Sequence, residues 1–136
     1  MSKYKLPPRI FSYVEHELYN YESTSEEISY MKDDIVNSSP PITDRVQSGI
    51  GNTTQSKGIQ LTSNVALMRM EKTVKAIDSA MKLLGEEHAQ IFHYKYKDKM
   101  DWRQVVMEIP TSQDTYFRKR RELVYMVALQ MGLVSP

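Results

Sequence analysis

Apolar residues recur at alternating intervals of three and four between Arg9 and Val36, and this spacing predicts a helix of about seven turns with one apolar face. Two prolines, Pro7 and Pro8, precede it, at a position where missing amide donors do no harm. Ser25 could cap a second helix, which predicts a break near residues 23–25. Besides Ser25, the face consists of Phe11, Val14, Leu18, Tyr21, Ile28 and Ile35.

This first apolar face fits two roles. It can pack against the rest of the chain, or it can join copies of the chain, because a 3.5-residue repeat is what a coiled-coil interface needs. The tyrosines on and beside the face favour a bundle over a two-stranded coil. Both roles stay open, and the six apolar residues are candidates for oligomerisation.

A second face with spacings of three and four predicts a helix from about Thr62 to Leu84. Gly85 is expected to end it, and a further helix carrying Ile91, Phe92 and Tyr96 follows. The face is formed by Leu67, Met70, Val74, Ile77, Met81 and Leu84.

No stretch alternates with the period of a β-strand, so the predicted fold class is all-α. Residues 39–61 are rich in Ser, Gly, Thr and Asn and have no sustained periodicity, which predicts a linker. The expected organisation is a helical arm over residues 1–38, this linker, and a long helix with a helix-turn-helix domain over residues 62–136.

The helix-turn-helix prediction begins with a short helix after residue 100. Asp101 can cap it, with Gln104 completing a capping box. Pro110 forces the preceding residue out of helical geometry, so this helix ends after about two turns. Its apolar face consists of Trp102, Val105, Val106 and Ile109.

A longer helix is expected after this corner, capped by Ser112 or Thr111 and running to Gly132. In a helix-turn-helix the N-terminal side chains of the second helix enter the major groove of DNA. Gln can pair with adenine and Arg with guanine, while Asp can accept from cytosine or orient a neighbouring Arg. The base-reading candidates are Gln113, Asp114, Phe117, Arg118 and Arg121, and the phosphate-contact candidates are Lys97, Lys99, Arg103, Ser112, Lys119 and Arg120.

A basic run on a helix is also typical of an ordinary solvated face, and that interpretation competes with DNA binding. Trp102 is expected to pack where the two helices cross. For Phe117, a core role and contact with a thymine methyl group are both open.

Composition adds limits to these predictions. The 136 residues fit one domain, or a small domain with an arm, and 40 % apolar residues can support a core. Without cysteine the chain forms no disulfide and no thiolate metal site. The first residues contain no apolar run typical of a signal peptide or a membrane span, so a cytoplasmic protein is expected.

The net charge of +1 conceals an asymmetry. Residues 1–50 carry 5 Lys or Arg against 8 Asp or Glu, whereas residues 111–136 carry 4 against 2. A polyanion would therefore meet the C-terminal part of the chain.

Catalytic and metal-binding chemistry is not expected. The three histidines, His16, His88 and His93, lack metal-ligand spacing, and His88 is predicted to be solvated. The GIGN sequence lies in the polar linker without the strand and helix of a phosphate-binding loop. We expect neither enzymatic activity nor a cofactor.

One set of residues resembles the C-terminal half of the phage-encoded ArpU/RinA-type transcriptional regulators, which is similar to the promoter-reading region 4 of sigma factors. These residues are Leu84, Glu87, Ile91, Tyr94, Asp101, Trp102, Val105, Ile109, Ser112, Thr115, Tyr116, Arg118 and Leu123. The layout also agrees in an EL-x-x-Y sequence at Glu17, Leu18 and Tyr21, in Glu27-Ile28, and in the GIGNTT loop. The chain departs from the family at Pro110-Thr111, where such regulators often carry a small apolar residue before the Ser.

The resemblance implies a phage or prophage protein that binds duplex DNA in the bacterial host cell and activates late genes. Host RNA polymerase is a candidate partner. A homo-oligomer is expected, with a dimer first, because two-fold protein symmetry is mirrored in DNA sites. Two alternatives stay open: a phage DNA-packaging recognition subunit of the small-terminase type, and a helical interaction protein that does not bind DNA.

Overall fold

The computed structural model describes the backbone of residues 4–37 and 50–136, and the side chains of residues 4–34 and 64–136. These residues form six α-helices and no β-strand, which confirms the all-α prediction. The helices are α1 (Pro8–Tyr19), α2 (Tyr21–Asn37), α3 (Ile50–Leu83), α4 (Glu86–Ile91), which continues into a π-helical segment (Phe92–Lys97), α5 (Trp102–Glu108) and α6 (Gln113–Gln130).

The predicted first helix is divided at Asn20, and the expected break at residues 23–25 is wrong. The Asn20 side-chain amide donates to the His16 carbonyl over 2.8 Å, while the Ser23 hydroxyl donates to the Asn20 carbonyl over 3.1 Å. Asparagine and serine side chains compete in this way with the backbone hydrogen bonds of a helix. The chain therefore turns one residue after Tyr19, and α2 passes through Ser25 without interruption.

The core is organised around α6, which packs against α1, α3, α4 and α5. Its inner face is fully buried along Leu123, Val124, Val127 and Ala128. An 18-residue helix that is apolar along one side can collect several shorter helices because each covers a different part of that side. The other helices supply Val14, Leu18, Ile77, Ala80, Ile91, Phe92, Tyr96, Val105 and Ile109.

Helix α1 is thus part of the same core as the C-terminal helices. Val14 and Leu18 are 0 % and 1 % exposed, so a second copy of the chain cannot reach them. Phe11 and Tyr21 also pack against this core. These four oligomerisation candidates therefore pack within the chain, which is the first of the two roles predicted for this face.

Helix α3 begins at Ile50 rather than near Thr62. Residues 50–61 of the predicted linker are therefore helical, and residues 39–49 lie outside the described part of the chain. A helix that is already nucleated gains one hydrogen bond for each residue it adds, so polar residues of modest propensity can extend it. The second half of the predicted apolar face does face the core, where Ile77 is buried and Met81 and Leu84 pack against it. Leu67 is buried outside this core, and Val74 lines a groove between α2 and α3.

The segment after α4 is π-helical, with backbone hydrogen bonds between residues five positions apart. The amide of Asp98 donates to the His93 carbonyl over 3.0 Å, and Lys99 follows with a left-handed φ of 58°. A π turn shifts the helix faces relative to an α-helix and often marks a functional region. Here it brings both Phe92 and Tyr96 into the core.

Gly132 ends α6 as predicted. Its φ of 77° is left-handed, which glycine adopts without steric cost. The amides of Gly132 and Leu133 return to the carbonyls of Leu129 and Ala128 over 3.0 and 2.9 Å, the two bonds of a Schellman motif.

Candidate nucleic-acid interface

The corner between α5 and α6 has the capping pattern that the sequence predicts. Asp101 Oδ1 accepts from the Gln104 amide over 2.9 Å, and Gln104 Oε1 accepts from the Asp101 amide over 3.0 Å. Helix α5 ends at Glu108, and Ile109, directly before Pro110, is extended with φ −106° and ψ 110°. Ser112 Oγ then caps α6 by accepting from the Thr115 amide over 3.1 Å. A two-turn helix, a four-residue corner at 109–112 and an 18-residue helix are all present.

The first turns of α6 divide into an exposed and an inner face. Gln113, Asp114, Arg118 and Arg121 are exposed, whereas Tyr116 is buried. Intervals of four and three place the last three of these exposed residues in one row along the helix. Gln113 lies beside this row, and the four residues together, hereafter the exposed row, are four of the five base-reading candidates.

Three aromatic rings and two guanidinium groups form a stack that ties α1, α6 and α5 together. The Arg120 guanidinium carbon lies 5.1 Å from the Phe11 ring centroid and 5.2 Å from that of Phe117. The Phe117 ring is 5.7 Å from Trp102, and the Arg103 guanidinium lies 5.2 Å from the Trp102 ring. Each cation–π contact contributes about 0.5–2 kcal/mol, more where water is excluded. This stack, hereafter the aromatic–arginine stack, fixes how the corner sits on the core.

The stack contains all three of its aromatic residues at the edge of the core. Trp102 packs where α5 meets α6, as predicted. Phe117 is half-buried between Trp102 and Arg120, so it has a packing role. Phe11 supports Arg120 and is not presented to a second copy of the chain.

Arg120 does not occupy the position expected of a phosphate contact. It lies four residues after Tyr116 and four before Val124, both fully buried, and so sits on the inner face of α6. Its Nε atom is buried, with no hydrogen-bond partner among the described residues. We therefore remove Arg120 from the set of phosphate contacts.

The substitution Arg120→Met tests this correction. Met keeps the length of the side chain and can still pack between the two phenylalanine rings. We expect the slope of log K against log salt for duplex binding to stay unchanged, because no phosphate contact is lost. A slope reduced by about one would return Arg120 to the phosphate contacts.

Lys97 and Lys99 lie away from the corner. The Lys97 ammonium is 5.7 Å from the Tyr21 ring centroid and 5.4 Å from that of Phe92. Both lysines line a polar cleft at the junction of α1 and α2, together with Glu22. Both lysines precede Asp101 closely in sequence, which predicted that they would lie at the corner. The π-helical turn shifts the faces of the helix at this point, and the sequence alone does not reveal that shift.

The other phosphate candidates flank the exposed row. Arg103 stacks on Trp102 and is exposed, and Lys119 is half-exposed on α6. The Ser112 hydroxyl is occupied, because it donates to Thr115 Oγ1 over 2.9 Å while it caps the helix. Its role at the corner is therefore structural in this arrangement.

A polar cluster beneath the corner has no counterpart in the sequence predictions. The fully buried Tyr96 hydroxyl donates to Glu15 Oε2 over 2.7 Å, and Lys95 donates to the Tyr19 hydroxyl over 2.9 Å. Burial, and next the carboxylate of Glu15, raise the pKa of Tyr96 well above its ordinary value. These bonds join α1 to the π-helical segment, because the partly buried Glu15 carboxylate accepts from the buried Tyr96 hydroxyl. The sequence signal was Glu15 beside Val14, a charge at the edge of an apolar face.

His88 is buried, and the prediction that it is solvated is wrong. Its Nδ1 accepts the Gly85 amide over 3.2 Å, which places the ring proton on Nε2. Nε2 then donates to Glu122 Oε1 over 2.8 Å. The pair fixes α4 against α6. The sequence signal for it is a histidine three residues after Gly85, the residue that precedes α4.

The described residues contain no group of three or more His, Asp or Glu that could hold a metal ion. Among the same residues, no helix has the length and apolar character needed to cross a membrane.

No curated protein and no solved structure matches the chain. A family described as "Protein of unknown function (DUF722)" matches residues 15–128. The match runs from within α1 to within α6 and includes the corner, the exposed row and the core that carries them. Because it covers most of the 136 residues, the chain belongs to the DUF722 family.

Proposed function

We propose that the chain is a sequence-specific duplex-DNA-binding regulator of transcription. The observation that carries the proposal is the exposed row Gln113, Asp114, Arg118 and Arg121, which follows directly on a capped helical corner. An α-helix fits the major groove, and its first turns are the part that reaches base edges in a helix-turn-helix.

Each residue of the row has a chemical role in this proposal. Arg118 and Arg121 can each donate two hydrogen bonds to guanine, and Gln113 can pair with adenine. Asp114 lies one turn before Arg118, where its carboxylate accepts from cytosine or orients the guanidinium. Arg103 and Lys119 flank the row and contact phosphates, which sets the position of the helix without reading sequence.

The aromatic–arginine stack supports the same proposal. A helix that reads bases must be held at a defined angle, because a displaced side chain cannot make two hydrogen bonds to one base. Trp102 and Phe117 fix α5 to α6, and Arg120 and Phe11 fix α6 to α1. A merely solvated basic face would not need such support.

The biological setting follows from the resemblance to ArpU/RinA-type regulators. On that basis we propose that the protein activates late genes of a phage or prophage and contacts host RNA polymerase. The alternative of a packaging recognition subunit is separated by mass, because that class assembles as a closed ring of many subunits.

Arg118→Ala is expected to weaken binding to a site selected from random duplexes by roughly 1–3 kcal/mol and to relax preference at one base pair. Lys119→Ala should weaken all sequences about equally and lower the salt slope by about one. Titrations of the selected site and of random duplex, each at several salt concentrations, measure both effects.

Arg69→Ala is the matched control. Arg69 is also an exposed cation, but it lines a groove with Met131 and Leu133, at the far end of α6 from the exposed row. It should bind as the unsubstituted protein does. No measurable affinity for any duplex at low salt would overturn the proposal, and identical losses from Arg118→Ala and Lys119→Ala on both duplexes would overturn the assigned roles.

A further inference from the structure

Helix α2 packs mainly against α3 and forms a two-helix hairpin with it. The Tyr21 hydroxyl donates to Asp78 Oδ1 over 2.6 Å, and Lys32 Nζ lies 3.7 Å from Glu71 Oε2. Later positions in α2 therefore meet earlier positions in α3, which makes the hairpin antiparallel. Most of α2 is thus supported by a single neighbouring helix.

An apolar groove runs along this hairpin. Ile28 of α2 lines it together with Met68 and Val74 of α3. Met68 is 68 % exposed, and Val65, one turn before it on α3, is also exposed. Grouped apolar side chains of this kind, rimmed by charges, mark an interaction surface.

The two helices carry opposite charge on their exposed positions. Among the described side chains, α2 has five carboxylates and one lysine, while α3 has an excess of cations. The ion pairs of the described residues engage none of those five carboxylates, and they leave Lys72 and Lys75 without a carboxylate partner. The carboxylates are those of Glu22, Glu26, Glu27, Asp33 and Asp34.

We propose that two copies of this chain associate through the α2–α3 hairpin, with the acidic α2 of each copy along the groove and the α3 cations of the other. The interface is isologous, so every contact occurs twice about a two-fold axis. Ile28, Met68 and Val74 form its apolar centre, and Lys72 and Lys75 meet the carboxylates of the partner copy's α2.

The charges decide between the possible occupants. DNA or an acidic protein would match Lys72 and Lys75 but would meet the five carboxylates of α2. A basic partner would match α2 and be repelled by α3. A second copy supplies both signs, and electrostatic complementarity selects among partners in this way.

This surface lies on other helices than the corner, and the inference does not rest on DNA binding. It also relocates self-association within the first predicted apolar face. Four of the six candidate residues pack into the core, and Ile35 has no described side chain. Ile28 is the one that lines the groove.

Sedimentation equilibrium of the full chain over a range of concentrations tests the proposal. The unsubstituted chain should show a monomer–dimer equilibrium. Met68→Glu should weaken the dimer at least about tenfold, because it places a charge in the apolar groove. Met107→Glu is the matched control, since Met107 is 82 % exposed on α5 and outside the hairpin, and it should leave the equilibrium unchanged.

Charge reversal provides a second, more specific measurement. The double variants Lys72→Glu/Lys75→Glu and Glu27→Lys/Asp34→Lys should each dimerise poorly, because like charges then face each other across the axis. An equimolar mixture should recover a heterodimer, since the signs match again at both contacts.

Three results would overturn the proposal: a monomer at the highest soluble concentration, a closed ring of many subunits, or equal effects of the two methionine substitutions. A monomer that still binds duplex DNA would remove the dimer and leave the proposed function standing. A dimer without DNA affinity would remove the proposed function and leave the dimer proposal standing.

Discussion

We expect Leu123→Ala to lower the free energy of unfolding by about 3 kcal/mol, whereas Leu83→Ala should change it by less than about 0.5 kcal/mol. Leu123 has no exposed surface and lies in the middle of α6, where several helices meet. Truncating it removes buried methyl groups and leaves a cavity that the surrounding helices fill only in part. Leu83 is 64 % exposed at the end of α3, and Leu and Ala are both good helix formers.

Urea unfolding followed by circular dichroism measures both variants, with the midpoint and slope compared at pH 7. A second readout connects the core to the proposed function. Leu123→Ala should lose duplex binding only as far as it loses folded protein, while Arg118→Ala should lose binding at unchanged stability. Equal destabilisation by the two leucine substitutions would contradict the central position of α6.

Much of this fold could be predicted because its signals are local. The capping box of Asp101 and Gln104, the Ser112 cap and the stop at Gly132 each depend on a few adjacent residues whose hydrogen bonds follow from their chemistry. The apolar face of α3 could be predicted for the same reason, since helical spacing alone decides which side chains share a face.

The errors arise where a residue's environment is made by distant parts of the chain. Arg120 belongs by sequence to a basic run, yet Phe11 and Phe117 decide its place. His88 looks like a solvated residue until Glu122, 34 positions later, is brought beside it. The break at Asn20 has a local cause that the spacing of apolar residues does not reveal, because the asparagine side chain competes for a backbone carbonyl of the helix.

The corner between α5 and α6 depends both on local capping signals and on contacts between residues that are farther apart in the sequence. Pro110-Thr111 departs from the resembling family, and sequence alone could not give the consequence. In the structure α5 ends before Pro110 and Ser112 caps α6. The Trp102 and Phe117 rings pack against each other across the corner. The departure therefore leaves the capping and packing of the corner intact.

The second large expected effect is alkaline unfolding, driven by three tyrosines. Burial raises the pKa of Tyr116 to about 12, and burial together with the Asp78 hydrogen bond raises that of Tyr21 to about 12. Burial and next the Glu15 carboxylate raise the pKa of Tyr96 well above its ordinary value. An unfolded tyrosine titrates near 10.

The direction in which stability changes with pH depends on whether the folded or the unfolded state keeps the tyrosine protons to higher pH. Below pH 10 both states are protonated and the stability is fully present. Above pH 10 the unfolded chain releases its protons first, so the free energy of unfolding falls as pH rises towards the folded pKa values. At about 1.4 kcal/mol per unit and group, the loss by pH 12 is of the order of 5 kcal/mol or more. That is comparable to the whole stability of a small domain, so the chain should unfold between pH 10 and 12.

Two chemically identical substitutions separate the contributions. Tyr116→Phe removes a buried hydroxyl that has no hydrogen-bond partner among the described residues, so at pH 7 it should be neutral or stabilising by up to about 1 kcal/mol. Tyr96→Phe removes the donor to the Glu15 carboxylate and should cost about 1–3 kcal/mol at pH 7. Each variant should lose less free energy of unfolding between pH 7 and pH 12 than the unsubstituted chain loses, because one titrating tyrosine is absent. Circular dichroism against pH, with tyrosinate absorbance followed in parallel, measures this. A destabilising Tyr116→Phe, or an alkaline midpoint that neither variant moves, would show that these buried hydroxyls do not control the transition.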